Sequence, residues 1–237
     1  MKLSYRNSPL EAVDTLMETL TLPNSSVFVL GPTDINFYEG VKIHTPEDIW
    51  SVNVFCDIFF SIKFNDTNGG ETNSSKYGLV YIDNPNRCTG VLYSTDNIVD
   101  LAKAFPRAFF AINESHHCFT EGRDYREESL EELLSLSNIA LIEPYETPCP
   151  REIKETVNCR NWFSKSLAKE NIKVYNKDGN FVVVEHKKHK KILEELSGLD
   201  ILMNDMSEYP QMDNCIQIGA NGGKKMELIL SEIKRQT

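Results

Sequence analysis

Apolar residues along the chain follow two rhythms. Near the start they sit at Leu10, Val13, Leu16, Met17 and Leu20, the spacing of one helix face over residues 9–20. Elsewhere they gather in short runs: VFVL at 27–30, LVYI at 79–82 and FFAI at 109–112. Each run is closed by polar or turn-forming residues, as a short buried strand would be. Between the second and third runs, Ser94-Thr95-Asp96 can cap a helix through Lys103, with Ile98, Val99, Leu101 and Ala102 available for packing. Residues 79–113 therefore predict a β-loop-α-β unit, the building block of parallel sheets. A helix near 127–136 and a strand at 139–142 continue the alternation. The apolar stretch VFCDIFFSIKF at 54–64 reads as core, and the polar, glycine-bearing stretch 65–76 as a mobile loop.

The segment EPYETPCP at 143–150 holds three prolines and predicts an extended linker. Past it the pattern predicts a helix over 151–170, strands at 172–175 and 180–184, a helix over 189–196, a strand at 215–218 and a last helix over 223–235. The expected fold is α/β: a three-layer αβα arrangement with a mostly parallel sheet over 1–145, followed by a small C-terminal α/β domain over 151–237.

Charge and composition narrow the function classes. The net charge of −10, from 35 acidic and 25 basic residues, argues against a nucleic-acid or anionic-membrane binder. The basic run HKKHKK at 186–191 is read as a solvated helix start beside Glu194 and Glu195, ahead of a phosphate-contacting patch. No apolar run is long enough to span a bilayer, and the first residues lack the apolar stretch of a secretion signal. The six cysteines are scattered without a CxxC pair, so they read as reduced thiols and the expected location is cytoplasmic.

Three segments stand in an informative order. DNPNRCTG at 83–90 follows the LVYI run, AINESH at 111–116 closes the FFAI run, and GNFVVV at 179–184 comes after the linker. Together they resemble the fold-type I pyridoxal-phosphate enzymes, in the branch around histidinol-phosphate aminotransferase and threonine-phosphate decarboxylase. That family carries an NPNNPTG loop after one strand and a later strand ending in DEAY. Pro32-Thr33, Tyr38-Glu39-Gly40, the IKVY run at 172–175 and CIQIG at 215–219 fit the same template. The resemblance implies a transferase in which pyridoxal phosphate acts as an electron sink. Such a site uses a Schiff-base lysine, an aspartate on the pyridinium nitrogen, a glycine-rich helix start for the phosphate and an arginine for the substrate carboxylate. It also implies a homodimer.

Matched position by position, little of that chemistry is present. Asn86 matches the loop asparagine that contacts the cofactor's phenolic oxygen, and Asn113 falls where the pyridinium aspartate belongs; these are the cofactor-binding candidates. The DEAY tyrosine falls on His116 and the substrate-binding arginine on Cys215. Where a TxSK turn is expected the chain reads Glu143-Pro144-Tyr145-Glu146-Thr147, and no lysine lies between Lys103 and Lys154. The glycine-rich phosphate segment is missing from 20–27. Strand cores and turns survive while chemistry has gone, as expected if the fold is kept for another purpose.

The leading expectation is thus an aminotransferase-like protein without transaminase activity. It would bind an unknown small molecule or serve structurally, with no cofactor and no metal; pyridoxal phosphate enters only if the family chemistry persists. Two alternatives remain open. One is a working pyridoxal enzyme using Lys165, from Phe163-Ser164-Lys165, or Lys154 with Asn86. The other is a different enzyme built on Glu114, Ser115, His116, His117 and Cys118, a polar cluster at the carboxyl end of a strand, where α/β folds bind ligands. Glu114 and His116 would share one side of a continued strand. The catalytic candidates are Glu114, His116 and Lys165. Arg87 would face the former cofactor site.

Overall fold

A computed structural model describes residues 1–19, 26–33, 37, 40, 49–53, 77–121, 131–175, 178–209, 212–221 and 223–237. The expected core at 54–64, the loop at 65–76, the segment at 20–25, the turn at 38–39 and the helix start at 127–130 lie outside these residues. The chain divides into two compact units. One comprises Met1–Asn84, Leu92–Ser115 and Gly122–Glu146; the other comprises Pro85–Val91, His116–Glu121 and Thr147–Thr237. The division is not a single cut, because most of the NPNRCTG loop and the residues after AINES group with the second unit.

The first unit is built on six strands: β1 (Lys2–Tyr5), β2 (Ser26–Gly31), β3 (Ile49–Asn53), β4 (Tyr77–Asp83), β5 (Phe109–Asn113) and β6 (Ile139–Pro144). They lie in the order β1-β6-β5-β4-β2-β3, and every neighbouring pair is parallel. A parallel sheet is covered on both faces, so its strands are apolar throughout. Accordingly Leu79, Val80, Tyr81 and Ile82 are all buried, as are Phe110, Ala111 and Ile112. On one face α1 (Pro9–Thr19) brings Ala12, Val13 and Leu16 into a core with Val27, Val29, Leu79, Tyr81, Ala111, Ala140 and Ile142.

Helix α2 (Thr95–Ala104) links β4 to β5 and completes the expected β-loop-α-β unit. Its start is set by Ser94, whose hydroxyl accepts from the Asn97 amide at 3.3 Å. Ile98, Val99, Leu101 and Ala102 are buried, as their spacing predicts. Its far end is closed from a distance: the Asn138 Nδ2 donates to the carbonyls of Ala102 (3.1 Å) and Ala108 (3.0 Å), supplying the donor that helix-end carbonyls lack. Strands β1 and β3 are additions to the predicted set.

The second unit carries an antiparallel sheet. Its elements are α3 (Pro150–Ala168), β7 (Lys173–Val174), β8 (Phe181–Glu185), α4 (His189–Glu195), β9 (Met203–Asp205), β10 (Cys215–Gly219) and α5 (Lys225–Gln236). Strand order is β7-β8-β10-β9. Phe163 and Leu167 of α3, Ile192 of α4 and Met226, Ile229 and Ile233 of α5 pack with Val182, Val184, Ile216 and Ile218 of the sheet. The prolines of 143–150 act as punctuation: β6 runs through Pro144, and Pro150 opens α3 at the first helical position, where its missing N–H costs nothing. The Cys149 amide just before it donates to the Glu152 carboxylate at 3.0 Å. Among the described residues no helix is long and apolar enough to cross a membrane.

Candidate functional site

Two adjacent parallel strands of the first unit end side by side, with Asp83 of β4 and Asn113 of β5 as register partners. Carboxyl ends of such strands are where α/β sheets place ligands. Both side chains are buried, as are Thr33, Asn84 and Glu114 beside them. The Asp83 carboxylate accepts from the Tyr81 hydroxyl (2.8 Å), from the Asn113 Nδ2 (2.6 Å) and, through a short bond, from the Thr33 hydroxyl. Asn113 in turn accepts on Oδ1 from the Ser115 amide (3.2 Å) and the Ser115 hydroxyl, which also meets the Tyr5 hydroxyl at 2.5 Å. Asn84 stitches the loop back: its Oδ1 accepts from the Tyr93 amide (2.7 Å) and its Nδ2 donates to the Tyr93 carbonyl (3.1 Å). Burial first, and the Asp83 charge second, push the Tyr93 phenol above its ordinary range, since both disfavour a phenolate.

Asp83 is the residue that sequence reasoning passed over. It was in plain sight as the acidic residue closing an apolar run. A carboxylate at the buried end of a strand is costly without partners, and that cost was the available signal.

In the second unit the NPNRCTG loop is held by its own asparagine. The Asn86 Oδ1 accepts from the Cys88 amide (3.0 Å), the Thr89 amide (2.9 Å) and the Thr89 hydroxyl (2.9 Å). The Gly90 amide donates to the Asn86 carbonyl at 2.7 Å, with Gly90 at φ +71°, a conformation that favours glycine. From β10 the Gln217 Nε2 donates to the Arg87 carbonyl at 2.8 Å. Cys215, also on β10, is a buried thiol where the resemblance implies an arginine.

His116 lies partly buried, edge-on to the Phe181 ring at 5.9 Å between centroids. Burial, then the nearby Arg87 charge, pull its imidazole down to about 4 against the opposing pull of a hydrogen bond to Asn180, so the ring is neutral at pH 7. The short 3-10 turn His117–Phe119 follows it. Arg160 of α3 is 1% exposed, and its Nη1 donates to the carbonyls of Phe119 and Gly179, each at 2.7 Å. Lys165 and Lys154 are on α3 with exposed side chains. A cleft of about 450 Å³ in this unit is lined in part by Phe119, Thr156, Cys159, Asn180 and Asn221.

Of the candidates, Asn113 and Glu114 therefore stand in the first unit, while Asn86, His116 and Lys165 belong to the second. Among the described residues no group of three or more His, Cys, Asp or Glu is placed to hold a metal ion.

Comparison with known proteins follows the same lines. No protein-family model matches the chain. A segment of 131 residues is 27% identical to a histidinol-phosphate aminotransferase of Christiangramia forsetii, covering 54% of this chain and 32% of that relative. An aspartate aminotransferase of Thermotoga maritima superposes with a TM-score of 0.74 at 14% identity, over 97% of this chain and 74% of its own. The chain has the aminotransferase fold. An L-threonine-O-3-phosphate decarboxylase of Porphyromonas gingivalis shares that fold, with a TM-score of 0.69 at 13% identity over 97% of this chain and 83% of its own. The resemblance read from DNPNRCTG, AINESH and GNFVVV thus points to the fold that the structure adopts. The curated relative is matched over about a third of its length, and its activity is a property of that protein.

Proposed function

We propose that this aminotransferase-fold chain lacks transaminase chemistry and serves as a binding or structural module. The observation that carries the reading is the end of β6, which continues as Tyr145-Glu146-Thr147 with no lysine. Without an amine there, that turn supplies neither the resting Schiff base nor the group that returns the proton to the substrate carbon. Lys165 and Lys154 are exposed on α3, without the enclosing apolar pocket that activates such a lysine. Asn113 is neutral, and both ends of its amide are engaged by Asp83 and Ser115. A neutral amide does not hold a ring nitrogen protonated by charge. The residues described do not fit pyridoxal phosphate in the way the resemblance implies.

The test is direct. Purified protein mixed with pyridoxal phosphate is expected to show no Schiff-base absorbance. After borohydride treatment, mass spectrometry should find no stoichiometric adduct. A one-to-one adduct on a single lysine overturns the proposal. The homodimer that the family implies belongs to the same proposal, and light scattering on the purified chain at micromolar concentration is expected to give twice the monomer mass. The cytoplasmic placement rests on the scattered cysteines alone.

A further inference from the structure

We infer that Asp83 carries the fixed negative charge of the Asp83–Asn113 pair, with Asn113 as its required neutral partner, so that the pair accommodates one carboxylate and not two. This deepens the reading proposed above at the same two strand ends. Asp83 is fully buried, and both of its oxygens accept: Oδ2 from Thr33, Oδ1 from Tyr81 and Asn113. The Asn113 amide is oriented by what surrounds it. Its Nδ2 faces an acceptor 2.6 Å away, while its Oδ1 faces two donors on Ser115.

A carboxylate at position 113 would put an acceptor where the donor now stands, against a charge of the same sign with little water between them. Position 113 is where the resemblance implies an aspartate. Within this pair the carboxylate stands at the end of β4, at position 83, and not at 113. Restoring it on β5 alone is therefore incompatible with keeping it on β4. Exchanging the two residues is compatible, because the amide at 83 would donate to the carboxylate at 113. That carboxylate would still accept from Ser115. The Thr33 and Tyr81 hydroxyls can rotate to donate or accept.

The experiment is a double-substitution cycle read by thermal unfolding at pH 7. Asn113→Asp is expected to lower Tm by roughly 10 °C, and by more than Asn113→Ala, which removes the donor without adding charge. Asp83→Asn alone is also expected to lower Tm, since the charge that strengthens three hydrogen bonds is lost. The double variant Asp83→Asn with Asn113→Asp is expected to recover at least half of the summed loss. Where Asn113→Asp does not fold, recovery of soluble, cooperatively unfolding protein in the double variant supports the inference. An Asn113→Asp variant as stable as Asn113→Ala overturns it, as does a double variant that loses the sum of both singles or fails to fold with them. These outcomes do not depend on pyridoxal-phosphate trapping, so failure here leaves the functional proposal standing, and the reverse holds as well.

Discussion

In the first unit a buried carboxylate, Asp83, is met by side chains: a threonine hydroxyl, a tyrosine hydroxyl and an asparagine amide. In the second unit a buried guanidinium, that of Arg160, is met most closely by backbone, through the carbonyls of Phe119 and Gly179 at 2.7 Å, with Asn161 at 3.4 Å and Glu121 at 3.8 Å as more distant side-chain partners. Side-chain partners can be exchanged one at a time without moving the chain, so the strand ends of the first unit can change their chemistry while the sheet persists. Carbonyl partners belong to the path of the chain itself. Arg160 therefore holds segments that lie 41 and 19 residues away from it in sequence, and its work is to keep the second unit's loops in place.

This contrast can be broken by substitution. Asp83→Ala removes the acceptor of three donors at once and is expected to cost about 4 kcal/mol in urea unfolding. Arg160→Met keeps the apolar stem but strands two carbonyls, and is expected to cost about 3 kcal/mol. Arg160→Lys separates charge from geometry: one ammonium cannot reproduce the planar fork, so most of that loss should remain. If the lysine variant matches the wild type, the backbone clamp is not what Arg160 supplies.

A smaller effect belongs to His116. Its folded-state value of about 4 lies below the ordinary 6.5, so the native protein holds the neutral ring. That contribution is complete above pH 6.5 and is lost as pH falls toward 4. Unfolding free energies measured at pH 7, 5.5 and 4.5 are expected to fall by about 2 kcal/mol more in the wild type than in His116→Gln. Equal slopes would show that His116 is not held neutral by its surroundings. Smallest of all is the cap of α2. Ser94→Ala is expected to cost about 1 kcal/mol and to leave the second unit's response to Arg160 substitutions unchanged.

The residues that were legible in the sequence share a property: their structural meaning is local. Ile98, Val99, Leu101 and Ala102 announce a helix because neighbours three and four apart share a face. Ser94 announces where it starts, and Pro150 where α3 starts. The NPNRCTG loop was legible for the same reason, since Asn86 closes it through Cys88 and Thr89, two and three residues on. Within the candidate site, Asn113 was picked out because the resemblance places an aspartate at that position, but Asp83 was not. Nothing nearby in sequence shows that Thr33, fifty residues earlier, and Asn113, thirty later, would converge on it.

What the sequence by itself determined is most of the elements, their α/β alternation and the absence of a lysine where the resemblance places one. The apolar periods and turn residues carry the first two, because burial acts on each segment through its own spacing. Only the tertiary structure decided that β1, a four-residue strand with little pattern of its own, joins β6 at the edge of the sheet. It also decided that the strands order as β1-β6-β5-β4-β2-β3, and that the carboxylate of Asp83 meets the amide of Asn113 across β4 and β5. Each of these depends on which distant groups meet. Hydrogen bonds between strands and between buried polar side chains form only once the whole sheet has assembled.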